Sequence, residues 1–231
     1  MSALSIIVPT LNEEAGIVPT LQALSSLRAR GAEVIVVDGG SRDRTAAAAR
    51  PHCDRLLAAP RGRAAQMNAG AGAARGEVLL FLHADTRLPD DADRHVADGL
   101  AASGRAWGRF DVRIAGTHPL LPLVAAMMNL RSRLTGIATG DQAIFVERAA
   151  FAAIGGYPDI PLMEDLVLSR RLKRLSRPLC LRGRALTSGR RWEKHGVMRT
   201  ILMMWRLRLA FSLGADPAAL ASRYGYVPRE R

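Results

Sequence analysis

Cysteine is scarce: Cys53 and Cys180 are the only two in 231 residues. Two cannot build a disulfide framework or a structural zinc site, so a reducing, cytoplasmic setting is expected. Long apolar runs are missing as well. The best, "PLLPLVAAMMNL" (119–130) and "ILMMWRLRLAFSL" (201–213), fall short of the ~18–20 residues that cross a bilayer, and Arg206 and Arg208 interrupt the second. "MSALSIIVPT" has no positive region and its apolar run stops at Pro9, so it does not read as a signal peptide. No G-x-G-x-x-G follows any apolar run, which disfavours a dinucleotide-binding oxidoreductase. Acids are the last deficit. Against 33 basic residues stand 21 acidic ones, giving +12 and a pI near 11.2. About half of the basic residues follow residue 165, where few acids accompany them. Such a field favours anionic partners, whether nucleotides, phosphorylated lipids, membrane surfaces or nucleic acid, although a GC-rich genome also yields Arg- and Ala-rich chains.

What is present reads as one α/β domain. "LSIIVP" (4–9), "EVIVVD" (33–38) and "EVLLFL" (77–82) are solid apolar runs with strand character, and "DRLLAAP" is a weaker one. Between them, "EEAGIVPTLQALSSLRARG" has helical spacing ending on Gly31. "GGSRDRTAAAAR" is a glycine turn entering a helix, and "GRAAQMNAGAGAARG" is helical despite its glycines. Continuous apolar strands alternating with helices predict a mostly parallel sheet covered on both faces. Further on, "AWGRFDVRI" and "QAIFVE" (142–147) read as strands. Residues 118–134 and about 196–213 read as helices, the latter followed by a polar tail. "MEDLVLSRRLKRL" (163–175) is a helix with acids first and bases last, matching the macrodipole.

Three strand ends, "PTLNE", "DGGS" and "HAD", gather polar groups where such sheets bind ligands. In "FLHADT" (81–86), His83 and Asp85 lie two apart at the third end. That pattern is either a turn start or part of a divalent-cation site.

Taken in order, "IIVPTLNEE", "VVDGGSRDRT", "HADT" and "MEDLVLSRRL" resemble glycosyltransferase family 2 over roughly residues 4–175. "GRAAQMNAGA", "TGDQAIF" and "IGGYPDIPLMEDLVLSRRLKR" are most similar to its small bacterial members labelled as arsenosugar-biosynthesis or radical-SAM-associated transferases. The resemblance implies an inverting enzyme of the GT-A fold, a Rossmann-like sheet, that uses nucleotide-diphosphate sugars, here UDP-linked. It implies a donor-binding half of about residues 1–103 and an acceptor half of about 104–215. Pro9, Thr10 and Glu13 would line the nucleoside crevice. Asp38, at a strand end, can accept from a uracil imide N–H, or simply start a turn. Asp43 and Thr45 are assigned to capping the helix that follows.

The resemblance assigns Arg63, ahead of Arg61, to the diphosphate beside a helix N-terminus. It assigns Asp85 to a Mn²⁺ or Mg²⁺ ion as the last acid of a D-x-D motif. His83 stands where an acid is usual, which weakens the metal assignment. Asp165 is implied as the general base, with Glu164 adjacent; helix capping is the bland alternative for both. Asp141 of "TGDQ" is expected on the acceptor side. "SGRRWEKHG" (188–196) is similar to a late R-W pair and His of related enzymes, making His195 a further metal candidate and Arg190 and Arg191 diphosphate candidates.

Two alternatives belong to other classes. A sugar-nucleotide nucleotidyltransferase would open with a Gly-rich phosphate loop carrying Lys or Arg, which "PTLNEEAG" lacks. A non-enzymatic basic protein binding membrane or nucleic acid accounts for the charge but leaves the ordered acids unexplained. Nucleic acid is not expected as a partner of the enzyme. The helices near 118–134 and 197–213 suit a dimer seam or core packing first, and contact with the inner membrane face second. The acceptor and the sugar are not readable from the residues.

Overall fold

The structure, a computed structural model, describes residues 4–226. Its apolar runs form one eight-stranded sheet. In chain order the strands are β1 (Leu4–Thr10), β2 (Glu33–Asp38), β3 (Arg55–Ala58), β4 (Val78–Phe81), β5 (Thr86–Arg87), β6 (Trp107–Ile114), β7 (Phe145–Glu147) and β8 (Leu179–Thr187). They lie in the order β3-β2-β1-β4-β7-β6-β8-β5. Strands β3, β2, β1 and β4 pair in parallel, as do β6 and β8. β7 and β5 run antiparallel to their neighbours.

The helices are α1 (Glu14–Gln22), α2 (Ser25–Ala29), α3 (Thr45–Ala49), α4 (Arg63–Ala73), α5 (Ala92–Ser103), α6 (Leu121–Thr135), α7 (Arg148–Ala153), α8 (Glu164–Leu172), α9 (Arg190–His195), α10 (Val197–Ser212) and α11 (Pro217–Arg223). Alternate strand residues feed two cores. Ile6, Val8, Val34 and Val36 pack with Ile17 and Leu21 of α1 and Val96 of α5. Ile7, Ile35 and Val37 pack on the other face with Met67 of α4 and Leu168 of α8. Because both faces are covered, the strands read as unbroken apolar runs, and each enclosed Val, Leu or Ile stabilises by roughly 1.5–3 kcal/mol. Gly70 explains why α4 tolerates glycine: a Cβ there would lie 2.4 Å from Ile7 Cγ2, so the helix rests directly on the sheet.

The expected α/β layering is present, with local differences. The helix read across 13–31 is two, α1 and α2, and Gly31 at φ 97 closes the second. "QAIFVE" contributes a strand only from Phe145, because Gly140–Gln142 form a 3-10 turn and Ala143 turns left-handed at φ 46. The expected polar tail holds α11, capped by Asp216, which accepts from the N–H groups of Ala218 and Ala219. A third apolar cluster joins Leu121, Val124 and Ala125 of α6 to Val197 of α10. Among the described residues no helix is long and apolar enough to cross a membrane.

Candidate active site

Strand register builds the site. Thr10 pairs with Asp38 and Ile7 with Phe81, so β1, β2 and β4 finish along one edge of the sheet. Buried Gln66 of α4 ties two of these ends together, donating at 2.8 Å to the carbonyls of Thr10 and of Val37. Thr10 is itself buried, and Pro9 precedes it opposite Val37. The loops beyond then hold each other. Asn12, at φ 53, donates its N–H to Ser41 Oγ and accepts from the Arg42 N–H. Glu13 donates its N–H to Thr45 Oγ1 at 2.8 Å.

Asp43 accepts from the Glu14 N–H and from the N–H and hydroxyl of Thr45. The Thr45 hydroxyl, foremost, holds the Asp43 carboxyl below its ordinary pKa. The residues assigned to the start of α3 therefore also anchor the first turn of α1. Asp38 starts a turn as well, accepting from the N–H groups of Gly40 and Ser41 at 3.0 and 2.9 Å and from the Ser41 hydroxyl. These bonds fix its half-exposed carboxylate at the strand end.

The third end brings together segments expected on the donor and acceptor sides. His83 Nδ1 lies 3.3 Å from Asp141 Oδ1. Burial pushes the Asp141 carboxyl up, but the His83 hydrogen bond and the charges of His83, Arg63 and Arg191 leave it below its ordinary pKa. The imidazole rests on Gly140, where an added Cβ would stand 2.3 Å from His83 Nε2. Gly140→Ala is therefore expected to part His83 from Asp141 and raise the Asp141 pKa. Carboxyl-carbon NMR titration would show this, and an unchanged Asp141 curve would reject the role of the contact. Asp85 lies 3.7 Å from Arg190, which also reaches Glu13 at 3.3 Å. Arg190 thus joins two candidate donor-site residues that are 72 positions apart in the chain.

The acidic pair opens α8. Met163 sits at φ 69, a left-handed conformation that costs a non-glycine residue roughly 1–3 kcal/mol and is typical of functional sites. Asp165 follows, accepting from the Gly140 N–H at 3.0 Å and the Leu166 N–H at 2.7 Å. Burial raises the Asp165 pKa, with Asp141 adding to the rise and the two backbone bonds and Arg63 opposing it. Glu164, only 5% exposed, is pushed up to about 7 by burial and by the neighbouring Asp165 charge. Burial and these two carboxylates also raise buried Tyr157 well above the ordinary tyrosine range.

Arg63, the first residue of α4 and open to solvent, feels this group. Protein packed around the inner side of its guanidinium pulls its pKa down, and Glu164, Tyr224, Asp141 and Asp165 more than compensate. Arg131 of α6 also senses Asp165. Burial lowers its pKa, and its Nε and Nη2 are enclosed without a hydrogen-bond partner among the described residues. Shifted carboxyls with facing guanidiniums at a sheet edge make this the candidate functional site.

The donor set suits a hard cation shared with a bound phosphate. Among the described residues no group of three or more His, Cys, Asp or Glu side chains could hold a metal alone. Mg²⁺ needs no such cage, since it binds through one or two carboxylates together with substrate phosphates and water. Asp85 can supply one such carboxylate. His195 sits differently. It lines a cavity of about 200 Å³ with Arg191, Arg199, Arg223 and Tyr224, a lining that includes neither Asp85 nor any other carboxylate. Its surroundings attract anions rather than cations. Arg191 stacks on Tyr224, 3.7 Å from the ring centroid, and Arg61 lies over Tyr226.

Sequence reasoning misses Gln66, Ser41 and Arg131. Gln66 sits in an Ala-rich helix and Ser41 in a glycine turn, and neither shows a pattern before the strands are brought together.

Comparison with known proteins bears on the family and the fold. The sequence model of glycosyl transferase family 2 matches residues 5–153. A human dolichyl-phosphate beta-glucosyltransferase is 35% identical over a stretch covering 38% of this chain and 33% of its own length. The mannosyltransferase PcManGT of Pyrobaculum calidifontis, solved with GDP-Man and Mn²⁺, superposes with a TM-score of 0.67 at 22% identity, over 98% of this chain and 66% of its own. S. aureus TarS 1-349 with UDP-GlcNAc gives 0.65 at 20% identity, over 81% and 58%. The chain thus spans a third of the human relative and less than two thirds of these solved proteins. With more than half of its residues matched by the family's sequence model and its sheet by GT-A structures, the chain belongs to glycosyl transferase family 2.

Proposed function

We propose that the protein is an inverting glycosyltransferase that moves a sugar from a nucleoside-diphosphate sugar, UDP-linked, to an acceptor O–H. The observation that carries the proposal is Asp165. It is held by two backbone N–H groups beside the donor edge, and its pKa is raised toward the range of a working base. The UDP-GlcNAc and GDP-Man complexes of the structural neighbours support the donor class.

In this reading residues of about 1–103 bind the donor and those of about 104–215 the acceptor. Pro9, Thr10, Glu13 and Asp38 take the nucleoside, and Arg63 with Arg190 takes the diphosphate. A Mn²⁺ or Mg²⁺ ion on Asp85, when bound, neutralises charge gathering on the leaving diphosphate. His195, among arginines and with no carboxylate in its cavity, is left out of that role. The acceptor oxygen attacks the anomeric carbon from the face opposite the diphosphate. Its proton passes to Asp165 Oδ as the bond to the diphosphate oxygen breaks, and the nucleoside diphosphate leaves with that electron pair. Glu164, with its pKa pushed up to about 7, carries only part of a negative charge at neutral pH and so weakens the repulsion on the base.

A panel of nucleotide sugars, scored for thermal stabilisation and nucleotide release with and without Mn²⁺, tests this. The expected outcome is stabilisation by UDP-sugars that Mn²⁺ deepens, and loss of the Mn²⁺ increment in Asp85→Asn with the fold intact. No stabilisation by any nucleotide sugar would reject the proposal.

A further inference from the structure

Ten large hydrophobic side chains are exposed among the described residues, and nine of them lie on α6, on α10 or immediately after α10. On α6 they are Leu123, Met127, Leu130 and Leu134, 49–71% exposed and spaced four, three and four residues apart. On α10 they are Met198, Leu202, Trp205 and Leu209, 48–66% exposed with the same spacing. Each set is one stripe of a helix. Neither stripe is the face that packs inward. Leu121, Val124 and Val197 do that, in the cluster that joins the two helices. Adjacent helices with regular outward apolar stripes form a docking face rather than scattered surface leucines.

Charge selects the occupant. Neither helix contains an acid, while Arg199 and Arg206 are exposed on α10 and Arg208 is half-buried beside them. Arg199 continues into the carboxylate-free cavity it shares with Arg191 and Arg223. A two-fold dimer through this face would bring two arginine-bearing surfaces together with no acid on either helix to offset them. An anionic lipid surface instead takes the stripes into its acyl boundary and the guanidiniums at its headgroups, with Trp205 suited to the level between. Neither helix can cross the bilayer, so the protein would lie on it.

We infer that α6 and α10 together seat the protein on an anionic membrane surface. This does not depend on the proposed sugar transfer. The test is flotation of the full chain with phosphatidylcholine vesicles and with equal mixtures of phosphatidylcholine and phosphatidylglycerol. The wild type floats with the mixed vesicles and little with phosphatidylcholine alone. Leu202→Ser/Leu209→Ser lowers that binding roughly tenfold or more, at an unchanged melting temperature because both side chains are exposed. Arg199→Glu/Arg206→Glu, a change of surface charge only, lowers it as well. Failure of the wild type to float, flotation of both variants equal to wild type, or a stable dimer by light scattering that the leucine variant dissociates would each overturn the inference.

Discussion

In Asp165→Asn, transfer falls by ~10²–10⁴-fold while nucleotide-sugar affinity stays at the wild-type level. The amide has the size of the carboxylate but no basicity, so it removes proton transfer and little else. Both Asp165 oxygens accept backbone N–H bonds, from Gly140 and Leu166. The amide can keep only one of these, because its NH₂ would face a donor. That loss is offset by no longer holding a charge in a site whose burial already disfavours it. Melting temperature should therefore move by only a few degrees. If Asp165 merely caps α8, the variant transfers sugar at nearly the wild-type rate. Steady-state kinetics with a donor titration separates the two outcomes.

Glu164→Gln should change stability more than chemistry, and only on one side of the pH scale. The Glu164 pKa in the folded protein is about 7, against an ordinary 4.5, so the native state holds a proton that the unfolded chain releases. Its contribution to stability is fully present below about 4.5 and is lost as pH rises through 7. At ~1.36 kcal/mol per pKa unit the loss totals about 3 kcal/mol, since the side chain is 5% exposed and little screened. Gln keeps the neutral shape at every pH. Without ligand, the variant should match wild type near pH 4 and melt roughly 5–10 °C higher near pH 8. Melting curves that stay parallel across this range would contradict the buried-acid account.

Much of the scaffold is legible in the chain. Runs such as "EVIVVD" have both faces enclosed, so composition alone announces them as strands, and the polar groups that follow fall at one edge by strand register. Short-range chemistry is legible too: Asp38 starts its turn with the two residues beyond it. Long-range chemistry is not. Gln66 bonds 56 and 29 positions back, and Arg190 reaches Glu13 across 177. The cost of exposing Glu164 or Arg131 is likewise set by residues distant in sequence. β8 escapes for another reason. Its residues are mostly half-buried and interrupted by Arg182 and Arg184, so neither alternation nor an apolar run marks it.

The sheet's two margins have a further consequence. They are β3, four residues long and carrying Arg55, and β5, two residues long and carrying Arg87. Such short, charged rims offer another chain few free backbone groups to pair with, while the aggregation-prone segments "SIIV" and "VIVV" lie in interior strands paired on both sides. Strand-by-strand polymerisation is thus blocked in the native state and becomes a hazard only when β1 and β2 are exposed, during synthesis or unfolding.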